Sequence, residues 1–413
     1  MRSAATTFEL QELVRFASGG TPSKSEPSNW GGDIPWLSAK DLKRFNLHDS
    51  QDHLTVQGAK GVTLAPAGSI LVLVRGMTLL KDLPLGVAMR PMTFNQDVKA
   101  LLPFAEARPH YLAYVLVSRK QELLQLVETP GHGTGRLDTE ILKSFPVDLP
   151  SLHQQDRFIE TLGTWDAAID KTTALLDALE RRKQGLMQQL LTGRRRLKGF
   201  TGKWTPARLG AVLERVTRKN TTGCMTPLTV SAQRGLVEQS SYFAKQIAAT
   251  DNDHYLLLQR GEFAYNRSAS IGYPLGAIKR LDSFDEGIVS TLCLCFGIAH
   301  EEKTDSDFLV GLIEAGLLNR ELRAIAQEGA RSHGLLNVTA TDFFNIRVSL
   351  PNIDEQRAIA EVLGDMDTEL VLRRGQLEQL KTQKRALMQK LLSGEWYLPD
   401  TPTQGKFISQ KAL

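Results

Sequence analysis

Cysteine is scarce in this chain, at three residues in 413, so no disulfide framework is available to staple it. No segment is long and apolar enough to cross a membrane, and the opening residues lack the basic start and apolar stretch of a secretory signal; a reducing, cytosolic setting is expected. A dominant charge is missing as well. The formal net charge of +4 is too small to demand a nucleic-acid partner, yet it does not repel one. Motifs that carry chemistry are absent too: there is no Asn/Asp-Pro-Pro-aromatic tetrapeptide of the adenine-methyltransferase type, no glycine-rich cofactor loop and no G-x₄-G-K-[ST] phosphate loop. No catalytic residue, no cofactor and no metal ligand set is therefore expected in this chain. Cys293 and Cys295 fall in the apolar run 290–296, which reads as a buried strand, so the Cys-x-Cys is read as core packing rather than a metal site.

What the chain does have is one segment twice. At a constant offset of 201 residues, His132-Gly133 recurs as His333-Gly334, and the correspondence runs without a gap to Thr192-Gly193 and Ser393-Gly394. Leu149-Pro150 falls on Leu350-Pro351, Gln155 on Gln356, Asp166 on Asp367 and Lys183 on Lys384. So long a period excludes a solenoid and implies a duplicated half-molecule with pseudo-twofold symmetry.

Each copy contains a helix signature. Ser151 with Gln154, and Asn352 with Glu355, have capping-box spacing. About forty proline-free residues follow, ending at Gly193 and Gly394, the usual residue just past a helix end. Leu162, Ile169, Leu176 and Leu190 step by sevens, with Trp165, Leu179 and Leu186 in a second row. The second copy repeats this with Leu363, Leu370, Leu377 and Leu391 beside Met366, Leu380 and Leu387. This is a coiled-coil seam, and the simplest partner for each helix is the other copy, packed antiparallel as a rod on the order of 60 Å long. Lys183 and Lys384 interrupt the seam at matching positions; either they fix register or they snorkel to water. Gly185 and Gly375, inside the helices, leave room for a bend.

The rest forms two heads. Residues 1–150 contain Gly19-Gly20-Thr21-Pro22-Ser23 and Trp30-Gly31-Gly32-Asp33-Ile34-Pro35-Trp36, then short β-branched runs at 69–74 and 86–89 and helical spacing over 109–127. Residues 200–349 contain Pro227-Leu228-Thr229-Val230-Ser231, Gly235-Leu236-Val237 and Gly261-Glu262-Phe263-Ala264-Tyr265-Asn266-Arg267, with helical spacing over 307–326. Both heads read as α+β.

On these motifs, and on the twice-occurring LP-x₄-Q…LG-x₂-D…K-x₂-LMQ-x-LL-x-G helix, the chain resembles the specificity subunit of type I restriction–modification systems over nearly its full length. The resemblance implies an α+β chain. Target-recognition domains at 1–150 and 200–349 would be separated by conserved spacer helices at 151–199 and 350–398, with a C-terminal tail at 399–413. It implies that each head reads one half of a bipartite, asymmetric target in double-stranded DNA, while two methylation subunits dock on the helices. Restriction subunits would join for the full complex, with S-adenosylmethionine, ATP and Mg in the partner subunits and no membrane involved. Two other readings remain open on the residues themselves: a coiled-coil interaction scaffold without DNA reading, and a self-contained modification enzyme, which the missing cofactor motifs disfavour.

DNA-contact candidates are basic residues expected in loops, because phosphates supply affinity and base edges supply specificity. In the first head they are Lys40, Lys43, Arg44, Arg75, Arg90 and Arg136; in the second, Arg218, Lys219, Arg234, Arg267, Lys279, Arg280 and Arg331. Arg75 and Arg267 lead, since each directly follows a predicted strand. Trp30 and Trp36 read as buried loop anchors ahead of DNA-stacking residues. Arg194-Arg195-Arg196 is either a phosphate clamp or a solvated linker, and His132 and His333 sit in glycine-rich turns without a catalytic partner.

Overall fold

The computed structural model describes residues 6–129, 133–242, 254–270, 272–328, 334, 336–398 and 408–409. The chain divides into two compact units, Met1–Ala174 with Gly375–Leu413, and Leu175–Arg374. Two long helices, Leu152–Leu190 and Ile353–Leu392, are each shared between the units near their middles, and each runs unbroken through its internal glycine.

In the first unit, Thr6–Glu9 pairs antiparallel with Pro146–Leu149, so the two ends of the head are clasped where the first long helix begins. Inside the clasp, a five-stranded sheet runs in the order Val14–Ser18, Val98–Pro103, Ile70–Leu73, Leu85–Ala88 and Asn46–Leu47. Its central strand Ile70–Leu73 is buried at every position, which explains a continuous apolar run in place of alternation. A four-stranded sheet is built on Trp30–Leu37, whose register against Asp52–Leu54 shifts between Trp30 and Ile34. The helical stretch predicted over 109–127 is two helices, Pro109–Ser118 and Lys120–Gln125.

The aromatic pair of this head is a loop anchor, as expected. Trp30 and Trp36 meet edge to face at 5.1 Å, and their indole N–H groups donate to the carbonyls of Ser23 and Gly20 at 3.1 and 2.9 Å. Gly19 is required there, because a Cβ would lie 2.3 Å from the Phe94 carbonyl oxygen.

The second unit repeats the clasp with Thr205–Arg208 and Arg347–Leu350. Its main sheet orders Leu213–Val216, Leu294–Ile298, Phe263–Asn266 and Ala277–Arg280, and is flanked by the hairpin Leu228–Ser231/Gly235–Glu238 and the pair Leu256–Gln259/Glu286–Val289. The helical stretch over 307–326 is again two helices, Ser306–Glu314 and Asn319–Ile325. One strand expectation is corrected. The run 290–296 is strand only from Leu294; before it, Cys293 N–H donates to the Ser290 carbonyl in a turn, leaving Cys293 half-buried while Cys295 is in the core. Burial raises the Cys293 thiol to about 11, as befits an inert thiol packed against the core.

The seam forms within each unit. In the first, Leu162 packs with Leu387 and Leu391 around Tyr114; in the second, Leu190 packs with Leu363. Early residues of one helix thus meet late residues of the other in both units, which is antiparallel pairing. Leu176, Leu179 and Leu370 are also buried, whereas Ile169, Leu186, Leu377 and Leu380 are half-buried. The two seam lysines neither end in water nor pack against one another. Lys384 forms an ion pair with Asp166, and Lys183 forms one with Asp367 at 2.5 Å. Asp166 and Asp367 are themselves counterparts in the duplication, so one contact is made twice, in one register. The capping boxes are half-formed. Gln154 and Glu355 N–H groups donate to Ser151 Oγ and Asn352 Oδ1 at 3.4 and 2.9 Å, but the Glu355 carboxylate accepts from Arg196 at 2.5 and 2.6 Å.

Candidate nucleic-acid interface

Strand Ile70–Leu73 emerges from the core at Val74, and Arg75 is the first exposed residue beyond it. Arg75–Gly76 then pairs with Gly135–Leu137, which sets Arg75 directly opposite Arg136. Directly opposed residues of an antiparallel pair project from one face, and like charges placed so repel. Glu128 flanks Arg136 on its other side, and Asp138 lies 3.4 Å from the Arg136 guanidinium. Arg75 is exposed and has no ion pair among the described residues, whereas Arg136 is compensated by Asp138. The turn that follows exposes Met77 and Leu80, at 72% and 47%.

The other candidates of the first head are separate from this pair. Lys40 is bound to Asp52 at 2.7 Å and, with Lys43 and Arg44, rims a hollow of about 350 Å³. Arg90 donates to the Asp33 carbonyl at 3.2 Å.

In the second head most candidates serve the fold. Arg267 directly follows strand Phe263–Asn266, yet its guanidinium donates to the carbonyls of Leu292 and Val338 at 2.8–3.1 Å and so acts as a strut between two loops. Arg280 pairs with Asp282 and Asp307, both at 2.7 Å, and Arg218 pairs with Glu262 at 2.6 Å. Lys219 donates to the His254 carbonyl at 2.9 Å, and Lys279 is half-buried within Ala277–Arg280. Arg234 is exposed at the hairpin between Ser231 and Gly235 and has no ion pair among the described residues. Arg331, His132 and His333 lie outside the described residues.

Sequence reasoning passed over two features that join heads to helices. Gln155 is fully buried; its Nε2 donates to the carbonyls of Glu106 and Pro150, and its Oε1 accepts from Arg108 N–H at 2.7 Å. Gln356 repeats this in the second unit, with the carbonyls of Lys303 and Pro351 and the N–H of Asp305. The signal was the recurrence of glutamine at an internal position. Tyr114 is the other: its hydroxyl donates to Asp166 at 2.5 Å, and burial, then the Asp166 charge, push the phenol far above its ordinary range.

Residues 3–181 match the family model for the type I restriction modification DNA specificity domain. The match takes in the first head and most of the first long helix. Among curated relatives, it is 33% identical over 167 residues to the EcoR124I/EcoR124II specificity subunit of Escherichia coli, covering 40% of this chain and 41% of that one. It thus spans about two fifths of that relative's length. The MjaVIII specificity subunit of Methanocaldococcus jannaschii is 24% identical over 306 residues, 69% of each chain. Among solved structures, the S subunit of a type I restriction-modification system from M. genitalium has the same fold, with a TM-score of 0.55 at 12% identity, covering 93% of this chain and 95% of that one. The fold shared with that S subunit is built here from two α+β heads and a duplicated antiparallel helix pair.

Proposed function

We propose that this chain is the sequence-specific DNA-binding subunit of a type I restriction–modification complex and is not itself catalytic. Each head reads one half of a bipartite, asymmetric target in double-stranded DNA, and the helices dock two methylation subunits. Restriction subunits complete the assembly, S-adenosylmethionine, ATP and Mg act in the partner subunits, and the setting is cytoplasmic.

One observation carries the reading. The helix pair is symmetric down to its ion pairs, Lys384 with Asp166 and Lys183 with Asp367, while the heads it bears have different sheets and different loops. A repeated scaffold suits two copies of one partner, and unlike heads suit unlike half-sites. The exposed Arg75/Arg136 pair, next to Met77 and Leu80, supports contact with a phosphate backbone in the first head.

The test is co-expression with the neighbouring methylation subunit followed by methylation sequencing. A two-part motif is expected, and replacing residues 1–150 with the head of a relative should change one part only. If both parts change together, the heads do not read independently. Methyl transfer by the purified chain alone, with partner subunits shown absent, would contradict its non-catalytic role.

A further inference from the structure

Where the first long helix ends, the second unit has a hollow of about 480 Å³ lined by Arg182, Arg195, Arg196 and Lys198, with Gly185 and Val362. No carboxylate lines it. Arg196 is held by the Glu355 carboxylate, which is 1% exposed, so this guanidinium is fixed in place and its charge compensated. Arg182, Arg195 and Lys198 are exposed and have no ion pair among the described residues. Three uncompensated cations around one concavity repel each other unless an anion joins them.

Compensation of the helix end does not explain them. Cations favour a helix C-terminus, but this end is already closed by Gly193 N–H to the Leu190 carbonyl and Arg195 N–H to the Gln189 carbonyl. The duplication supplies an internal control. The second helix ends alike, with Gly394 at φ 72° beside Gly193 at φ 68°, yet at the same offset it has Gln383 for Arg182 and, just past the end of the duplication, Trp396, Tyr397 and Pro399 in place of Arg195, Arg196 and Lys198. In that copy Lys390 lies over the Trp396 ring at 4.5 Å, an aromatic contact at the place of Arg195. The helix therefore folds without these cations, and Gly185, which corresponds to Ala386, leaves the wall bare of a side chain.

We infer that Arg182, Arg195 and Lys198 form a phosphate-ester site at the end of the first spacer helix, occupied by the sugar-phosphate backbone of DNA outside the base-reading heads. The choice of DNA rests on the proposed function; the phosphate chemistry does not. A free nucleotide supplies the same group and is the other source to be distinguished. Such a contact adds affinity for any sequence and leaves the recognised bases unchanged.

The full chain and the variant Arg182→Gln/Arg195→Gln/Lys198→Gln are titrated with a random-sequence duplex across a salt series, and separately with ATP and with inorganic phosphate by calorimetry. Arg196 is left in place because it holds Glu355. Loss of three phosphate contacts should make the slope of log K against log salt shallower by about 2.7. The variant with lysine at 182 and 195 and native Lys198 should restore it, since charge and not the guanidinium fork is required. An unchanged DNA slope with ATP or phosphate binding lost only in the glutamine variant keeps the phosphate site and makes its source a small molecule. An unchanged slope together with unchanged ATP and phosphate titrations overturns the inference. The DNA-reading proposal is decided apart from this, by whether wild type with its methylation subunit modifies a defined motif. No variant should melt below wild type, as the substituted side chains are exposed and the glutamines relieve their repulsion.

Discussion

Lys384 of the second long helix forms an ion pair with Asp166 of the first, with both side chains buried to within about a tenth of their surface. The Tyr114 hydroxyl binds the same carboxylate at 2.5 Å, and the ammonium sits over the rings of Phe45 and Tyr114 at 4.6 and 4.9 Å. Its counterpart, Lys183 with Asp367, has Glu314 at 3.8 Å as a second carboxylate and leaves Asp367 54% exposed. One contact thus exists in a dry and a wet version.

The two versions should differ in energy. Removing one partner of a buried pair costs about 3–5 kcal/mol, whereas an exposed pair contributes about 0–1 kcal/mol. Asp166→Ala is therefore expected to lower stability severely and Asp367→Ala hardly at all, as read by denaturant unfolding. Equal losses would mean that burial does not set the strength of these pairs.

His110 lies beside this cluster, its Nε2 3.1 Å from Asn46 Oδ1. Burial first, and then Lys384, hold the imidazole below its ordinary 6.5, against the opposing pull of Asp166. The unfolded chain therefore takes up this proton at a higher pH than the folded one. Stability from a neutral His110 is present above about 6.5 and is lost as pH falls from there toward the folded pKa. The melting temperature should drop on acidification through this window, and His110→Gln should shrink the drop. Parallel curves for the two proteins would exclude His110 as the cause.

Arg75 and Arg136 face each other across a strand pair. Arg75→Gln should remove that repulsion and raise stability by roughly 0.2–1 kcal/mol. The same change should weaken duplex binding and make its salt slope shallower by about 0.9 if Arg75 contacts one phosphate. Gain of stability without loss of DNA affinity would remove Arg75 from the interface.

Leu176 is 6% exposed and Leu377 half-buried, although both occupy seam positions. Leu176→Asp places an unpaired charge in the seam and should cost several kcal/mol; Leu377→Asp should cost less. Size exclusion with the methylation subunit should show the larger assembly defect for Leu176→Asp. The reverse order would mean that the seam is packed differently around residue 176.

The helices and their pairing were legible in the sequence because a heptad pattern specifies a face whatever lies around it. Lys183 and Lys384 were legible as positions but not as interactions. Asp166 lies 218 residues from Lys384, and neither helix's own pattern contains the register between them. Arg267 shows the same limit: its place after a strand was readable, but its commitment to the Leu292 and Val338 carbonyls depends on two distant loops. The run 290–296 was misread because an uninterrupted apolar stretch has no periodicity to mark where the turn at Ser290 ends and the strand begins.

The division of the helices between the two units also orders the protein's birth. Leu175–Arg374 is one uninterrupted stretch, so everything that unit needs has been synthesised once Arg374 leaves the ribosome. Met1–Ala174 is made before that stretch yet completes its unit only with Gly375–Leu413, which is made after it. Until then Leu162 and Tyr114 lack Leu387, Met388 and Leu391, and Asp166 lacks its lysine. The earlier of the two heads is thus the later to close, and its bare helix face is the surface a chaperone would meet on the nascent chain.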